Sequence, residues 1–221
     1  NVMKYFNGFW VPDDDHNLVL DLLGPGGSHD GQVFTEVRRY TIDQPKRVMV
    51  DVGANIGRWA KHFYTDYDQV FWYEPAYYNL ECLRKNTEHE TNIFVRDYGL
   101  GENNHKASLS VAVQDHLGST IAKPDLNGDI DIQRLDDQNL PDLDLLKIDV
   151  EGFETEVLKG GQNIIKDKRP LIAIERHAFN YKMLGKEKKE SHLYLQSLGY
   201  EMMFKLTRDC IYGIPNIHRR T

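Results

Sequence analysis

The stretch Val50-Asp51-Val52-Gly53-Ala54-Asn55-Ile56-Gly57 constrains this chain more than any other. An apolar, β-branched run enters a glycine turn, and Trp59, Ala60 and Phe63 then recur at helical spacing. A strand feeding a helix through such a turn is the opening unit of a parallel α/β sheet, because parallel strands need a crossover between them. Gly53 lets the chain turn where a side chain would collide. Gly57 permits close helix packing or the approach of a ligand.

The alternation continues downstream. Val70 to Tyr73 is a second strand closed by Pro75, with Leu80 and Leu83 on one face of the next helix. Ile93 to Val95 is a third strand. Leu143 to Val150 is a fourth, followed by Phe153, Val157 and Gly161 at i, i+4 and i+8. Leu171 to Ile174 is a fifth, with Tyr194, Leu195 and Leu198 marking its helix. This order predicts an α/β fold, a mostly parallel sheet with helices on both faces. Met202 to Leu206 and Cys210 to Tyr212 predict a closing C-terminal antiparallel hairpin. Leu109 to Val113 and Ile130 to Ile132 read as extra strands around a polar loop over 114–129, which includes Gly118-Ser119-Thr120. Residues 1–45 read as an irregular N-terminal extension and candidate substrate-side lid, and 46–221 as the single domain.

The length of 221 residues suits one well-cored domain. Acidic residues outnumber basic ones by 34 to 27, which argues against a general nucleic-acid binder. Lys186, Lys188 and Lys189, interleaved with Glu187 and Glu190, read as a solvated helix face. Cys82 and Cys210 form no disulfide framework, and Cys82 falls among apolar helix positions as a core residue. No apolar run reaches bilayer length and no signal-peptide pattern opens the sequence, so no membrane partner and a cytoplasmic location are expected.

Glu74 ends the second strand, 21 residues after Gly53, where a carboxylate can accept from both hydroxyls of a ribose. A glycine turn with a spaced acid suits a nicotinamide cofactor or S-adenosylmethionine. Asp51 separates them: a carboxylate there repels a pyrophosphate but suits an amino group and a sulfonium. The glycines are also four residues apart, not in the GxGxxG spacing. A NAD(P)-dependent oxidoreductase is the alternative, and an inactive binding module on the same fold is a third reading.

These residues resemble the FkbM-like methyltransferases. The similarity lies in Asp51 to Gly57, in Tyr73-Glu74-Pro75, and in Asp97-Tyr98-Gly99-Leu100-Gly101. It continues through Leu145-Leu146-Lys147-Ile148-Asp149-Val150-Glu151-Gly152-Phe153-Glu154, Val157-Leu158-Lys159-Gly160, and Arg169-Pro170 leading to Ile174-Glu175. The resemblance implies a Rossmann-like class I methyltransferase fold, with a seven-stranded sheet and one antiparallel strand. It implies that S-adenosylmethionine is bound and released as S-adenosylhomocysteine. Asp51, Gly53, Ala54, Asn55 and Gly57 would line its methionine part, with Asp149 beyond them. Glu74 and Pro75 would hold the ribose, and Asp97 and Tyr98 would reach the adenine. The family more often has Asn at position 97, and a strand-end Asp can instead bond its own loop.

Methyl transfer from a sulfonium asks the protein to align nucleophile and methyl, and a hydroxyl acceptor gains from a base. Ligands gather at the carboxyl ends of parallel strands, which brings Asp149 and Glu151, Glu175 and His177 around the donor as catalytic candidates. Each pair is two residues apart and shares a face in extended chain. Asp149 and Glu151 can equally cap or open the following helix. His177 is the preferred base because imidazole titrates near neutrality. The four could alternatively hold a divalent metal, but no required metal is expected. Asp13-Asp14-Asp15-His16 reads as a solvated turn. Ser28, His29 and Asp30, with the 114–129 loop, are the substrate-side segments, and Tyr5, Phe6, Phe9 and Trp10 can stack on a sugar or pack on the domain. The function expected is O-methylation of a hydroxyl on a saccharide or other small molecule.

Overall fold

The computed structural model describes residues 3–15, 18, 30–113 and 116–218, with side chains omitted at 30, 60, 111–113 and 116–119. Seven strands form one sheet: β12 (Glu201–Leu206), β13 (Asp209–Gly213), β11 (Leu171–Glu175), β10 (Leu145–Ile148), β3 (Val48–Val52), β4 (Gln69–Tyr73) and β5 (Ile93–Arg96), in that spatial order. Neighbours from β11 to β5 pair in parallel, and β13 pairs antiparallel with both β11 and β12. The mostly parallel sheet with one antiparallel strand and a closing hairpin is the class I architecture that the sequence predicts. The central strands β3 and β10 are buried throughout, as expected of strands covered on both faces.

Helices cover the sheet: α1 (Asp30–Tyr40), α2 (Arg58–Phe63), α3 (Tyr77–Asn86), α4 (Glu154–Gly160), α5 (Gln162–Lys168), α6 (Ala178–Met183) and α7 (Glu190–Ser197). Two apolar cores result, one around Val50, Leu146, Ile148, Val157 and Leu195, the other around Met49, Trp59, Phe63, Trp72 and Leu83.

Residues 1–45 are not an irregular extension where they are described. Helix α1 buries Val33, Phe34, Val37 and Tyr40 in the second core, and Tyr40 Oη donates to Met203 O at 3.0 Å. Helix α1 thus packs with the sheet that follows residue 45. A hairpin of β1 (Met3–Phe6) and β2 (Phe9–Pro12) docks on α3, where the Asn86 amide donates to Trp10 O and accepts from Trp10 N. Phe6, Phe9 and Trp10 pack beside Ile56 and Cys82, the core cysteine; Tyr5 is exposed. Asp15, read as solvated, is fully buried and accepts from Leu18 N at 2.9 Å. Residues 16, 28 and 29 lie outside the described residues.

The polar loop over 114–129 is a second departure. Most of it is β8 (His116–Pro124), paired antiparallel with β7 (His105–Val113). With β9 (Ile130–Gln133) and β6 (Gly99–Leu100) these strands form a separate four-stranded sheet. Its buried face, Ala107, Ile121, Ile130 and Ile132, alternates with polar residues and was masked in the sequence by Gly, Ser and Thr. The Lys186–Glu190 run is no helix face either. Lys186 donates to Gly152 O at 3.1 Å, pairs with Glu156, and stands 3.7 Å from the centre of the Phe153 ring. Among the described residues, no helix is long and apolar enough to cross a membrane.

Candidate functional site

A cavity of about 270 Å³ opens at the carboxyl ends of β3, β4 and β10. Gly53 and Asn55, Tyr73 to Ala76, and Asp149 to Glu151 form its floor; Leu109, Thr120 and Ala122 of the small sheet form the opposite wall. Gly99 to Gly101 close one end. Gly53 holds φ at +79°, and a Cβ there would fall 1.8 Å from Asp149 O, so only glycine lets β3 and β10 approach at this point. Gly57 serves packing: its Cβ would meet Leu83 and Trp72. Neither Gly57 nor Ala54 lines the cavity.

Glu74 leaves β4 buried beneath the cavity. Oε2 accepts from Asn55 N at 2.7 Å and Oε1 from Ala76 N at 2.9 Å, with the Asn79 amide as a further donor. Burial pushes its pKa up, the amide hydrogen bonds pull against that, and the result is about 7. Pro75 follows it in the cavity wall.

Asp51 does not reach the cavity. It is fully buried, and Lys147 Nζ lies 3.0 Å from its Oδ1 while donating to Gly53 O at 3.0 Å. Burial raises the Asp51 pKa and Lys147 opposes it. The charge assigned from sequence to a ligand thus meets a lysine of the chain. Lys147 and Asp51 are register partners on adjacent apolar strands, and that matched pair of charges was the signal in the sequence.

Asp97 and Tyr98 are also outside the cavity. The Asp97 side chain is 65% exposed and stands 3.5 Å from Arg84, while Tyr98 Oη donates to Gln138 at 2.7 Å. Backbone from Gly99 onward, not the Asp97 carboxylate, meets the cavity.

The four catalytic candidates come together, with different parts. Asp149, Glu151 and His177 offer ligand-type atoms within 4.8 Å of one another, and Asp149 and Glu151 line the cavity. Neither carboxylate caps a helix: α4 begins only at Glu154, and Glu151 sits in a turn at φ +55° with Asn180 donating to its Oε2. Glu175 lies behind, accepting from His177 Nε2 at 2.9 Å and pairing with Arg208 from the β12–β13 turn. Burial would raise the Glu175 pKa, but His177 and Arg208 outweigh it and hold it at about 2. The bond to Glu175 raises His177 against its burial. Burial and the neighbouring Glu175 charge raise Asp149 well above the ordinary carboxylate range. Asn79, Asn180 and Arg208 were not singled out in the sequence, since no local pattern ties them to residues far away in the chain.

The cavity has a marked chemical bias. Asn55, Asn79 and Asp149 line it, and each has an enclosed Oδ1 with no hydrogen-bond partner. Among the described residues no lysine or arginine lines it, whereas Glu74, Glu102, Asp149, Glu151 and Glu156 do. Buried acceptors left unpaired are costly, so such a site calls for a ligand rich in donors and positive charge.

A strand-end cavity of this kind on a class I sheet defines a methyltransferase fold. A model of the methyltransferase FkbM domain matches residues 51–202, and the chain belongs to that family. Among solved structures, the FkbM methyltransferase of Methylobacillus flagellatus KT aligns at 21% identity and a TM-score of 0.54, covering 91% of this chain and 55% of that one. This chain therefore spans little more than half of that relative. A precorrin-6y C5,15-methyltransferase of Geobacter metallireducens GS-15 aligns at 15% identity and a TM-score of 0.50, over 86% of this chain and 88% of the other. The N-methyltransferase NodS of Bradyrhizobium japonicum WM9 aligns at 7% identity and a TM-score of 0.51, covering 83% and 93%. At these identities the likeness is one of fold. No protein of curated function matches the chain.

Proposed function

We propose that this chain is an S-adenosylmethionine-dependent methyltransferase that methylates a hydroxyl of a saccharide or other small molecule. The observation that carries the proposal is the set of unpaired acceptors in residues around a cavity that, among the described residues, no lysine or arginine lines. S-adenosylmethionine brings ribose hydroxyls, amino groups and a sulfonium, and no phosphate, so its donors and charge match that lining. A NAD(P) pyrophosphate would enter beside five carboxylates, with no lysine or arginine among the described lining residues to meet it.

When bound, S-adenosylmethionine supplies an activated methyl group. Glu74 accepts from the ribose hydroxyls, held in place by the Asn55 and Ala76 N–H groups. Asn79 and Asn55 take further donors through their unpartnered oxygens. Asp149 in the lining, with His177 close beside it, provides the proton acceptors for a hydroxyl. The raised pKa of Asp149 makes its carboxylate a stronger base than an exposed one. The acidic mouth formed by these carboxylates favours a neutral or cationic acceptor. The fold relatives include an N-methyltransferase and a C-methyltransferase by their names, and the hydroxyl is preferred here because this mouth offers proton acceptors.

Calorimetry with S-adenosylhomocysteine and with NAD tests the reading. Saturable binding of the former alone is expected. Tight NAD binding without a response to S-adenosylhomocysteine would overturn it. A screen of hydroxyl acceptors with methyl-labelled donor then separates an active enzyme from a binding module.

A further inference from the structure

Three donor atoms from Asp149, Glu151 and His177 meet within 4.8 Å at the edge of the cavity. Transfer of an activated methyl does not in itself require three such groups at one point. We infer that this corner binds a divalent cation of the Mn²⁺ or Mg²⁺ class through Asp149, Glu151 and His177, with Glu175 as an outer partner. Two carboxylates and one imidazole are a hard, anionic set that leaves the remaining positions to water or an acceptor oxygen.

The surroundings of each group support the assignment. His177 gives Nε2 to Glu175 at 2.9 Å, which fixes the ring and presents Nδ1 as its second nitrogen. A histidine that ligates a metal commonly donates its other N–H to a carboxylate in this way. Arg208 in turn holds Glu175, and the backbone of that turn is tied in by Arg176 N donating to Arg208 O at 3.0 Å. Asn180 orients Glu151 from α6. Asp149 lines the cavity, and its Oδ1 is enclosed with no hydrogen-bond partner. Lys147 offsets the charge of this corner only in part. Its ammonium stands 3.8 Å from Asp149 Oδ2 because Asp51 and Gly53 O already hold it, each at 3.0 Å.

The sequence alone grouped four residues and favoured a metal-free site. The fold separates them into three that converge and one that orients, since Glu175 is spent on His177 and Arg208. The ion would border the place where an acceptor meets the donor and would polarise an acceptor oxygen. That last role rests on the methyltransferase reading; the binding itself does not.

The test titrates Mn²⁺ into the full chain, without donor or acceptor, and follows free Mn²⁺ by electron paramagnetic resonance. One saturable Mn²⁺ per chain, competed by Mg²⁺, is expected. Asp149→Asn and His177→Ala should each abolish it, and Glu175→Gln should weaken it about 10- to 100-fold, as loss of an outer partner does. Thermal melts followed by circular dichroism identify any variant that fails to fold, and His177→Ala, at a partly exposed position, serves if Asp149→Asn does. Absence of saturable binding, or binding unchanged in the folded variants, overturns the inference. S-adenosylhomocysteine calorimetry on the same metal-free sample keeps the two readings apart. Binding there with no Mn²⁺ site sinks only the cation, and a Mn²⁺ site with no response to S-adenosylhomocysteine sinks only the cofactor.

Discussion

Lys147 on β10 and Asp51 on β3 face each other across the two central strands, Nζ to Oδ1 at 3.0 Å, with both side chains sealed from solvent. The same ammonium holds Gly53 O, so the pair ties the glycine turn to the strand that carries Asp149. Desolvating two charges is costly, and only their close contact offsets it. Lys147→Met should therefore leave Asp51 buried and unpaired, destabilising the fold by about 3–5 kcal/mol. The double variant Lys147→Met with Asp51→Leu should recover much of that loss. Chemical denaturation of the three proteins checks it; a single variant as stable as wild type would show that the pair does not hold the turn.

Glu74 supports a prediction about pH. Its folded pKa of about 7 lies above that of a carboxylate in the unfolded chain. A raised folded value means that Glu74 favours the folded state while protonated, and that this contribution is lost as pH rises toward and through 7. Wild-type protein without cofactor should thus lose stability relative to Glu74→Gln between about pH 5 and about pH 8. The two melting temperatures, measured across that range, should change by different amounts in that direction. Glu74→Ala should also weaken S-adenosylhomocysteine binding by about 1–3 kcal/mol, through loss of a charged acceptor. Parallel melting curves at all pH values would remove the claim that Glu74 is held at a perturbed pKa.

Asp97 and Asn79 give a contrast. Asp97 is exposed and pairs with Arg84 away from the cavity, so Asp97→Ala should leave S-adenosylhomocysteine affinity within about twofold of wild type. Asn79 lines the cavity with an unpartnered oxygen and donates to Glu74, so Asn79→Ala should cost about 0.5–1.5 kcal/mol of affinity. Calorimetry on both variants decides; the reverse order would return the adenine contact to Asp97.

The same contrast shows what was legible in the sequence. The strand order, the turn at Gly53 and the acid at Glu74 follow from local patterns, because strand-turn-helix units write their period and their glycines into contiguous residues. The small sheet did not show, since β8 carries its few buried residues among Gly, Ser and Thr. Helix α1 was hidden behind the glycine-rich residues before it, although Val33, Phe34 and Val37 hold the required spacing. Within the site, Asp51 and Asp97 lie off the cavity for one reason. A residue number places a side chain at a strand end, but which neighbour meets it depends on the adjacent strand, here Lys147 for one and Arg84 on α3 for the other. Arg208 belongs to the same class, reaching Glu175 only because β13 runs antiparallel to β11 with Asp209 opposite Glu175.

The remaining prediction concerns turnover at the corner of Asp149 and His177. With a hydroxyl acceptor, Asp149→Asn and His177→Ala should each lower the rate by about 10²–10⁴-fold, the usual worth of assistance to proton removal. His177 does not line the cavity, so His177→Ala should keep S-adenosylhomocysteine affinity near wild type; Asp149→Asn, which alters a lining acceptor, should lower it modestly. Asn matches Asp149 in size, and no helix depends on Asp149 for a cap, so a folding defect is not expected there. The two ways in which the corner can act separate under a chelator. If Asp149 and His177 work as bases alone, EDTA leaves the wild-type rate intact. If a cation lies between them, EDTA abolishes turnover, Mn²⁺ restores it, and neither variant is rescued. Wild-type rates in both variants would place the proton acceptor elsewhere and remove this corner from the chemistry.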